Sequence, residues 1–333
     1  MCRNVILENI KESSETNHMQ IGIQTKGILP EMGIEAGAAL IQSAGFSRVD
    51  FNLDSFLLNS DVYRENINHF FDADIEKLLE FFDTYKKTFE QYGIRPSQMH
   101  APYPILVPGK PKIGDYMQSV VLPKAIAIAG KMEIPWVVVH PAKLQYIYGA
   151  EAEREKNLEI FSALIPLLKE HHVGVCVENL YESVGGRITE GTCANPEEAI
   201  WYVDTLNEMA GEELFGCCLD TGHMQLVHRD PADYVRQVGN RLKILHMHEN
   251  DTIGDLHQMP FTFGKKETDG LDWKAFYAAL KEVGFDGTLS FETYPCVNSF
   301  PRGVRREVLK TIHEIGKWII SQGNELLHET ENR

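Results

Sequence analysis

The stretch VGVCVE (173–178) decides how this chain is interpreted. It is a short apolar run rich in β-branched residues, and it ends in a carboxylate. The segment before it, AEREKNLEIFSALIPLLKEH (152–171), has the spacing of an amphipathic helix. A strand buried in a parallel sheet is almost continuously apolar, so Glu178 is unexpected unless it has a function where the strand ends.

The same alternation of strand and helix extends in both directions along the chain. Seven more strand-like runs are present: QIGIQT (20–25), SRVDFN (47–52), SQMH (97–100), WVVVH (136–140), LFGCCLD (214–220), LKILHMH (242–248) and GTLSFE (287–292). Clear helical segments include IEKLLEFFDTYKKTFEQY (75–92) and DWKAFYAALKEVG (272–284). Eight such units indicate either a closed barrel or a doubly wound sheet. No GxGxxG turn follows the first strand, which disfavours dinucleotide binding, and we expect a single (β/α)8 TIM barrel.

The domain boundaries follow from where the alternation of predicted strands and helices begins and ends. Residues 1–18 are polar with little periodicity and are interpreted as an N-terminal extension. The barrel is predicted over 19–322, and 323–333 is predicted to be a polar C-terminal tail that frays. A chain of 333 residues is long enough for one elaborated barrel with a large core.

The composition excludes several classes of function. The formal charge of −16, without a run of Lys and Arg, argues against nucleic acid as a partner. No segment reaches the roughly 20 apolar residues that a membrane helix needs. The six cysteines form no CxxC pair, and three lie in strand-like runs, where we expect buried thiols: Cys176, Cys217 and Cys218. A cytoplasmic protein in a reduced compartment is the expectation.

Acids and histidines recur where the predicted strands end. Six of the eight runs end in a side chain that can bind a metal ion: His100, His140, Glu178, Asp220, His248 and Glu292. Three similar residues lie just beyond strand ends: His223, Asp255 and His257. In a (β/α)8 barrel the carboxyl ends of all strands meet at one rim, where active sites lie. A lone histidine or acid there is usually structural, but this joint pattern predicts a metal centre.

The residue types narrow the choice of metal. Carboxylates combined with neutral imidazoles suit Mn²⁺, Zn²⁺, Co²⁺ or Fe²⁺ better than Ca²⁺, which prefers oxygen ligands alone. No cysteine is among the candidates, which argues against a structural zinc site. We therefore expect a divalent ion, namely Mn, Zn or Co, as the cofactor.

These motifs resemble the xylose isomerase-like TIM barrel superfamily, which contains sugar phosphate isomerases and epimerases and endonuclease IV. The resemblance covers about 19–320 and is carried by these motifs: QMHAPY (98–103), VVVHPAKL (137–144), VCVENL (175–180), CLDTGHM (218–224), LHMHENDTIGDLH (245–257), GLDW (270–273) and LSFETY (289–294). In the sugar epimerase branch, one metal is held by residues that match Glu178, Asp220, His248 and Glu292. The resemblance also implies that Glu178 and Glu292 are the catalytic acid/base pair.

The endonuclease IV branch binds three zinc ions, and its additional ligands match His100, His140, His223, Asp255 and His257. These five residues are therefore candidates for a second metal or for substrate binding. Two features weaken the nuclease reading: Leu256 stands where that branch has arginine, and the chain is acidic. His246 points to the same side of its strand as His248 and is interpreted as a packed structural histidine.

We therefore expect a divalent-metal-dependent isomerase or epimerase that moves a proton next to the carbonyl of a small sugar, sugar phosphate or polyol. One alternative is an endonuclease IV-like multi-zinc phosphoesterase, and a second is a non-catalytic sugar-binding barrel. The expected partner is a small carbohydrate substrate, and the resemblance suggests a homodimer.

Overall fold

Eight short parallel strands pair side by side in the order β10-β1-β2-β3-β4-β5-β8-β9 in a computed structural model that describes residues 19–264 and 270–331. Their bounds are β1 Gln20–Gln24, β2 Arg48–Asn52, β3 Arg95–His100, β4 Trp136–Val139, β5 Gly174–Glu178, β8 Phe215–Asp220, β9 Leu242–His246 and β10 Thr288–Phe291. All eight predicted strands are present, and the predicted single (β/α)8 barrel is confirmed.

The barrel closes between β9 and β10, the two strands at the ends of this order. Met247 forms a parallel bridge to Phe291, with Met247 N donating to Ser290 O at 2.8 Å and Glu292 N donating to Met247 O at 3.0 Å. Closure places the carboxyl ends of all eight strands around one opening.

Helices connect the strands and cover the outside of the barrel. The α-helices are α1 Leu29–Met32, α2 Ile34–Ser43, α3 Asn59–Arg64, α4 Ile75–Gln91, α5 Pro111–Tyr116, α6 Leu122–Lys131, α7 Gly149–Ser162, α8 Ile165–His171, α9 Pro196–Ala210, α10 Thr221–Leu226, α11 Pro231–Val238, α12 Trp273–Glu282, α13 Tyr294–Asn298 and α14 Arg305–Glu331. The main hydrophobic core lies between these helices and the sheet.

A small second core contains Val138, Cys176, Cys218 and Ile244, with Trp136 packed against it. The three cysteines expected in strands are buried and unpaired, which confirms that part of the sequence interpretation.

Two local features differ from the sequence expectation. The helix predicted over 152–171 is two helices, because Pro166 lacks the N–H that a continuous helix needs and starts a new helix instead. An antiparallel hairpin, β6 Tyr181–Val184 with β7 Arg187–Glu190, follows β5 and was not predicted. Gly185 and Gly186 have positive φ angles and make its tight two-residue turn.

The two ends of the chain relate differently to the predicted boundaries. The N-terminal extension proposed for 1–18 lies outside the described residues. Helix α14 runs to Glu331, so most of the segment expected to fray, 323–333, is helical. Its Gly323 packs close to the Tyr277 ring of α12, a tertiary contact that composition alone did not indicate. Across the described part of the chain, no helix combines the length and apolar character needed to cross a membrane.

Candidate metal centre

The carboxyl ends of the strands surround a cavity of about 320 Å³. Seven of the nine predicted site residues line it: His100, His140, Glu178, His223, Asp255, His257 and Glu292. The other two, Asp220 and His248, are fully buried and contact each other, with His248 Nε2 2.9 Å from Asp220 Oδ2. The fold therefore gathers all nine residues into one region.

Glu178 makes the largest number of close approaches to histidines in this region and is 1% exposed. Its Oε2 atom lies 2.8 Å from His140 Nε2 and 3.7 Å from His100 Nε2, while Oε1 lies 3.4 Å from His246 Nδ1. Burial alone would raise the pKa of this carboxyl, but the imidazoles, first His140 and then His246, hold the pKa of Glu178 well below its usual range. Glu178 is therefore an anion with both oxygens directed at ring nitrogens.

The sequence interpretation treated His246 as a packing residue and expected His248 among the metal ligands; in the structure His246 also lies close to several carboxylates. Its Nδ1 atom lies 3.2 Å from Glu292 Oε2, and its Nε2 atom lies 3.0 Å from Asp50 Oδ2. Four residues place one ligand-type atom each within 4.8 Å of the others: Glu178, Asp220, His246 and Glu292. Both histidines point into the barrel, and the deeper one reaches the three carboxylates.

A second group is formed by His100, His140 and Glu178, whose ligand-type atoms also lie within 4.8 Å of one another. The Nε2 atoms of the two histidines are 3.1 Å apart. Burial lowers the pKa of His140. Burial also acts to lower the pKa of His100, but the nearby carboxylates of Glu178 and Asp54 outweigh this effect, so the pKa of His100 is raised. The pair shares Glu178 with the four-residue group, so this carboxylate belongs to both sets of candidate ligands.

A third group contains His248, Asp255 and His257, again within 4.8 Å. Asp255 Oδ2 lies 3.2 Å from His257 Nε2 and 3.6 Å from His223 Nε2. Burial lowers the pKa of both histidines, but the carboxylates around them outweigh it. Asp220 and Asp255 raise the pKa of His223 to about 10, and Asp255 with Glu292 raises that of His257 to about 9. The site thus favours positive charge at these rings.

Three of the histidines are oriented by backbone carbonyls. The Nδ1 atoms lie 2.8 Å from Ala101 O for His100, 2.9 Å from Asn179 O for His223, and 3.0 Å from Glu292 O for His257. A carbonyl only accepts, so each Nδ1 must carry the proton that it donates. When such a ring is neutral, its Nε2 atom has a free lone pair, which is the usual arrangement of metal-binding histidines.

Three polar residues missed by the sequence analysis hold the candidate ligands in place. Thr221 Oγ1 donates to His248 O at 2.8 Å and accepts from His248 N at 3.0 Å. The Asn179 amide makes two bonds to the Asp220 backbone, at 2.7 and 3.1 Å. Asn250 Oδ1 accepts from His257 N at 3.1 Å, and its Nδ2 donates to Asp255 Oδ1 at 3.2 Å. The available signal was a polar residue next to, or near, a predicted ligand.

The mouth of the cavity is lined by one lysine and several tyrosine rings, and a second lysine, Lys26, lies over one of these rings. Lys143 lines it, donates to Tyr181 O, and lies 5.4 Å from the centre of the Tyr181 ring. Burial lowers the pKa of Lys143. Lys26 pairs with Asp54 and lies 5.6 Å from the centre of the Tyr103 ring. Burial alone would lower the pKa of Lys26, but Asp54 outweighs it and the pKa is raised. Tyr63 and Tyr103 also line the opening.

The residues of this centre fit a divalent cation. Three buried carboxylates lie within 4.8 Å of one another, an arrangement that repels itself unless positive charge is supplied. Among the described residues, Glu178 Oε2 and His248 Nδ1 are buried without a partner in hydrogen-bonding geometry, although His140 approaches Glu178 Oε2. Mixed oxygen and imidazole ligands are typical of Mn²⁺, Zn²⁺ and Co²⁺ sites.

Fold and site together define a (β/α)8 barrel with a centre rich in histidine and carboxylate. A family model described as xylose isomerase-like TIM barrel matches residues 35–313. The chain belongs to this family.

Comparison with individual proteins gives more distant matches. An uncharacterised protein of Methanocaldococcus jannaschii is 22% identical over 85% of this chain and 86% of its own length. An uncharacterised protein of Sinorhizobium fredii is 29% identical, but the match covers 37% of this chain and 34% of that protein. For that relative, the chain therefore aligns with only about a third of its length.

Solved structures share the architecture at low identity. A D-tagatose 3-epimerase-like protein has a TM-score of 0.63 at 19% identity, covering 93% of this chain and 100% of that one. An L-ribulose 3-epimerase has a TM-score of 0.68 at 14% identity, covering 94% and 98%. A 3-keto-D-glucoside 4-epimerase of E. coli has a TM-score of 0.61 at 13% identity, covering 89% and 99%. At these identities the likeness shows the fold.

Proposed function

We propose that the protein is a divalent-metal-dependent isomerase or epimerase acting on a small sugar, sugar phosphate or polyol. The observation that carries this proposal is the buried group of Glu178, Asp220, His246 and Glu292, whose ligand-type atoms lie within 4.8 Å of one another beside a cavity of about 320 Å³. Three structural neighbours are sugar epimerases or named after one, which supports the same class of chemistry.

The residues that would hold the ion are Glu178, Asp220, His246 and Glu292, with Mn²⁺, Zn²⁺ or Co²⁺ as the candidates. When bound, such an ion supplies Lewis acidity, which makes a proton next to a carbonyl easier to remove. His248 supports Asp220 through its 2.9 Å contact. We place His100, His140, His223, Asp255 and His257 around the substrate or a second ion.

Glu178 and Glu292 are the proposed acid and base. Both line the cavity, so both reach a substrate there. One carboxylate removes the proton from the carbon next to the carbonyl, and the other returns a proton to the same carbon or its neighbour. Lys143 at the mouth is placed to bind a hydroxyl or a phosphate of the substrate. The tyrosine rings of the mouth would pack on the apolar face of the sugar.

The alternative of a multi-zinc phosphoesterase is favoured by one observation. Besides the four-residue group, four further sets of ligand-type atoms lie within 4.8 Å, among them His100, His140 and Glu178, and His248, Asp255 and His257. Three sets in one region would suit three ions. The formal charge of −16 argues against a nucleic acid substrate. Metal analysis separates the two functions, since about one ion per chain supports the isomerase and three zinc ions support the phosphoesterase.

The test of the main proposal is proton exchange with solvent. The metal-loaded protein is incubated in D₂O with a panel of ketoses, aldoses and sugar phosphates, and deuterium next to the carbonyl is followed by NMR. Glu178→Gln and Glu292→Gln should each slow this exchange by about 100-fold or more, because each removes a general acid or base. The exposed Glu159→Gln is the matched control and should exchange at the normal rate.

Metal content is measured for every variant, so that loss of the ion is not mistaken for loss of the base. The proposal is wrong if no sugar in the panel exchanges. Sugar binding by a wild-type protein that exchanges no proton would instead support a barrel that only binds sugar, and a Glu178→Gln variant with unchanged turnover would contradict the role of Glu178.

A further inference from the structure

A second cavity, of about 270 Å³, lies at the opposite end of the barrel from the candidate metal centre. Its lining includes Arg48 and Arg95, the first residues of β2 and β3, and Trp136, which begins β4. The amino ends of the strands therefore surround it, and it shares no lining residue with the cavity of the metal centre.

The two arginines of this cavity stand directly opposite each other. Arg48 pairs with Arg95 in the register of β2 and β3. Among the described residues, neither guanidinium has a carboxylate within 4.0 Å, and the one hydrogen bond found is from Arg48 Nη1 to Ser47 O at 3.1 Å. Like charges at adjacent positions repel each other, and an anion bound between two guanidinium groups would offset that repulsion.

The remaining charges leave the cavity positive. Lys243 also lines it, donates to Glu213 at 2.8 Å, and lies 5.7 Å from the centre of the Trp136 ring. Asp286 is the acidic residue of the lining, and it forms no ion pair within the described part of the chain. With Lys243 paired to Glu213, two arginines remain against one lining carboxylate, an excess of positive charge in a protein with a formal charge of −16. Burial, with Arg95 nearby, lowers the pKa of Arg48, which fits a shortage of negative partners.

We propose that this basic cavity binds a small phosphate-type dianion, either inorganic phosphate or the phosphate group of a small monoester. Two guanidinium groups on adjacent strands can each donate two parallel N–H bonds to phosphate oxygens. The phosphate group supplies the negative partner that the two guanidinium groups lack among the described residues. Bound there, it joins β2 to β3 at the end of the barrel away from the metal centre, so its effect is on stability rather than on chemistry.

The test is a titration of the metal-loaded protein with sodium phosphate at constant ionic strength, followed by calorimetry and thermal unfolding. Arg95→Gln, at an exposed position, should weaken phosphate binding by about tenfold or more, because it removes charged hydrogen bonds. Arg48→Gln should do the same. Arg187→Gln on the exposed hairpin removes the same charge elsewhere and should bind phosphate normally. If phosphate instead binds to the metal ion, none of the three arginine substitutions should change its affinity.

A second readout excludes a purely structural role for the arginines. Without phosphate, Arg95→Gln should unfold at or above the wild-type temperature, because a repulsive pair is removed. With phosphate, the wild type should become the more stable protein. Titration with glycerol 3-phosphate distinguishes a phosphate monoester from inorganic phosphate as the ligand. If glycerol 3-phosphate binds more tightly than inorganic phosphate, the ligand is a monoester; if the two bind equally, it is inorganic phosphate. Absence of saturable binding, or equal binding by the wild type and Arg95→Gln, means an adventitious ion only and overturns the proposal.

Discussion

Gly222 stands between Asp220 and His223, and the ring of His248 occupies the space that a side chain at this position would need. A Cβ atom at Gly222 would lie 2.0 Å from His248 Cε1 and 2.4 Å from its Nδ1, far inside normal contact distance. The glycine of the DTGH sequence is therefore required by the packing of an imidazole from a different strand. Thr221 fixes the backbone of the same histidine through two hydrogen bonds.

We expect Gly222→Ala to displace the His248 ring from Asp220. The free energy of unfolding should fall by about 1–3 kcal/mol, the usual range for overpacking a buried site. Metal affinity should fall as well, since Asp220 loses the partner that orients it. Urea denaturation and metal titration measure the two effects.

The matched control for this change is Gly303→Ala. A Cβ there meets no atom within 4 Å, and the backbone is not left-handed, so the stability should change by less than about 0.5 kcal/mol. Equal stability and metal affinity of Gly222→Ala and the wild type would show that His248 has room to move.

Among the elements, the short helix α10 links the fold to the site. Asp220 ends β8 and also caps α10, because its Oδ1 accepts from His223 N at 2.7 Å while its Oδ2 faces His248. One carboxylate therefore ends a strand, starts a helix and faces the centre. The sequence indicated Asp220 as a candidate ligand, and the structure shows that the same residue is the helix cap.

The cap of helix α12 offers an element-level prediction away from the site. Asp272 accepts from Ala275 N at 2.9 Å, which satisfies a helix N–H that would otherwise have no partner in the helix. Asp272→Ala should lower the free energy of unfolding by about 1 kcal/mol, measured by urea denaturation. Asp272→Asn keeps the acceptor and should lose much less. Equal losses in the two variants would indicate that charge, not capping, matters at this position.

For the molecule as a whole, the charge of the centre links metal binding to pH. Without metal, the neighbouring carboxylates, despite the opposing effect of burial, keep the pKa of His257 at about 9 and that of His223 at about 10. Both are then protonated at neutral pH, whereas a metal ligand must be neutral. Below these pKa values, a metal ion must displace a proton from each histidine that it binds. Its affinity then increases about tenfold for each displaced proton when the pH rises by one unit.

For a second ion bound by His223 or His257, affinity should therefore rise between pH 6 and pH 8, roughly tenfold per unit for each displaced proton. Calorimetry in two buffers with different ionisation enthalpies counts the released protons. His257→Gln should release one proton fewer if His257 binds metal. A pH-independent affinity would contradict a role for these histidines as ligands. Removing the ion with a chelator should also lower the unfolding temperature, because it leaves the carboxylates repelling one another.

By itself, the sequence determined the eight strands and the residues at their ends. A strand buried on both faces needs a continuous apolar run, so a carboxylate or imidazole that ends such a run is visible without a structure. Parallel strands of one barrel end at the same rim, which is why His100, Glu178 and Glu292 could be placed together from spacing alone.

Only the tertiary structure decided which side chains lie at the same depth along the barrel axis. His246 and His248 face the same way, and their depth depends on how far β9 is staggered relative to its neighbours, a property of barrel closure. The register of β8 and β9 shifts between Cys217 and Cys218, and no local pattern encodes that shift. The facing of Arg48 and Arg95 likewise depends on strand register, so it too appeared only in the folded chain.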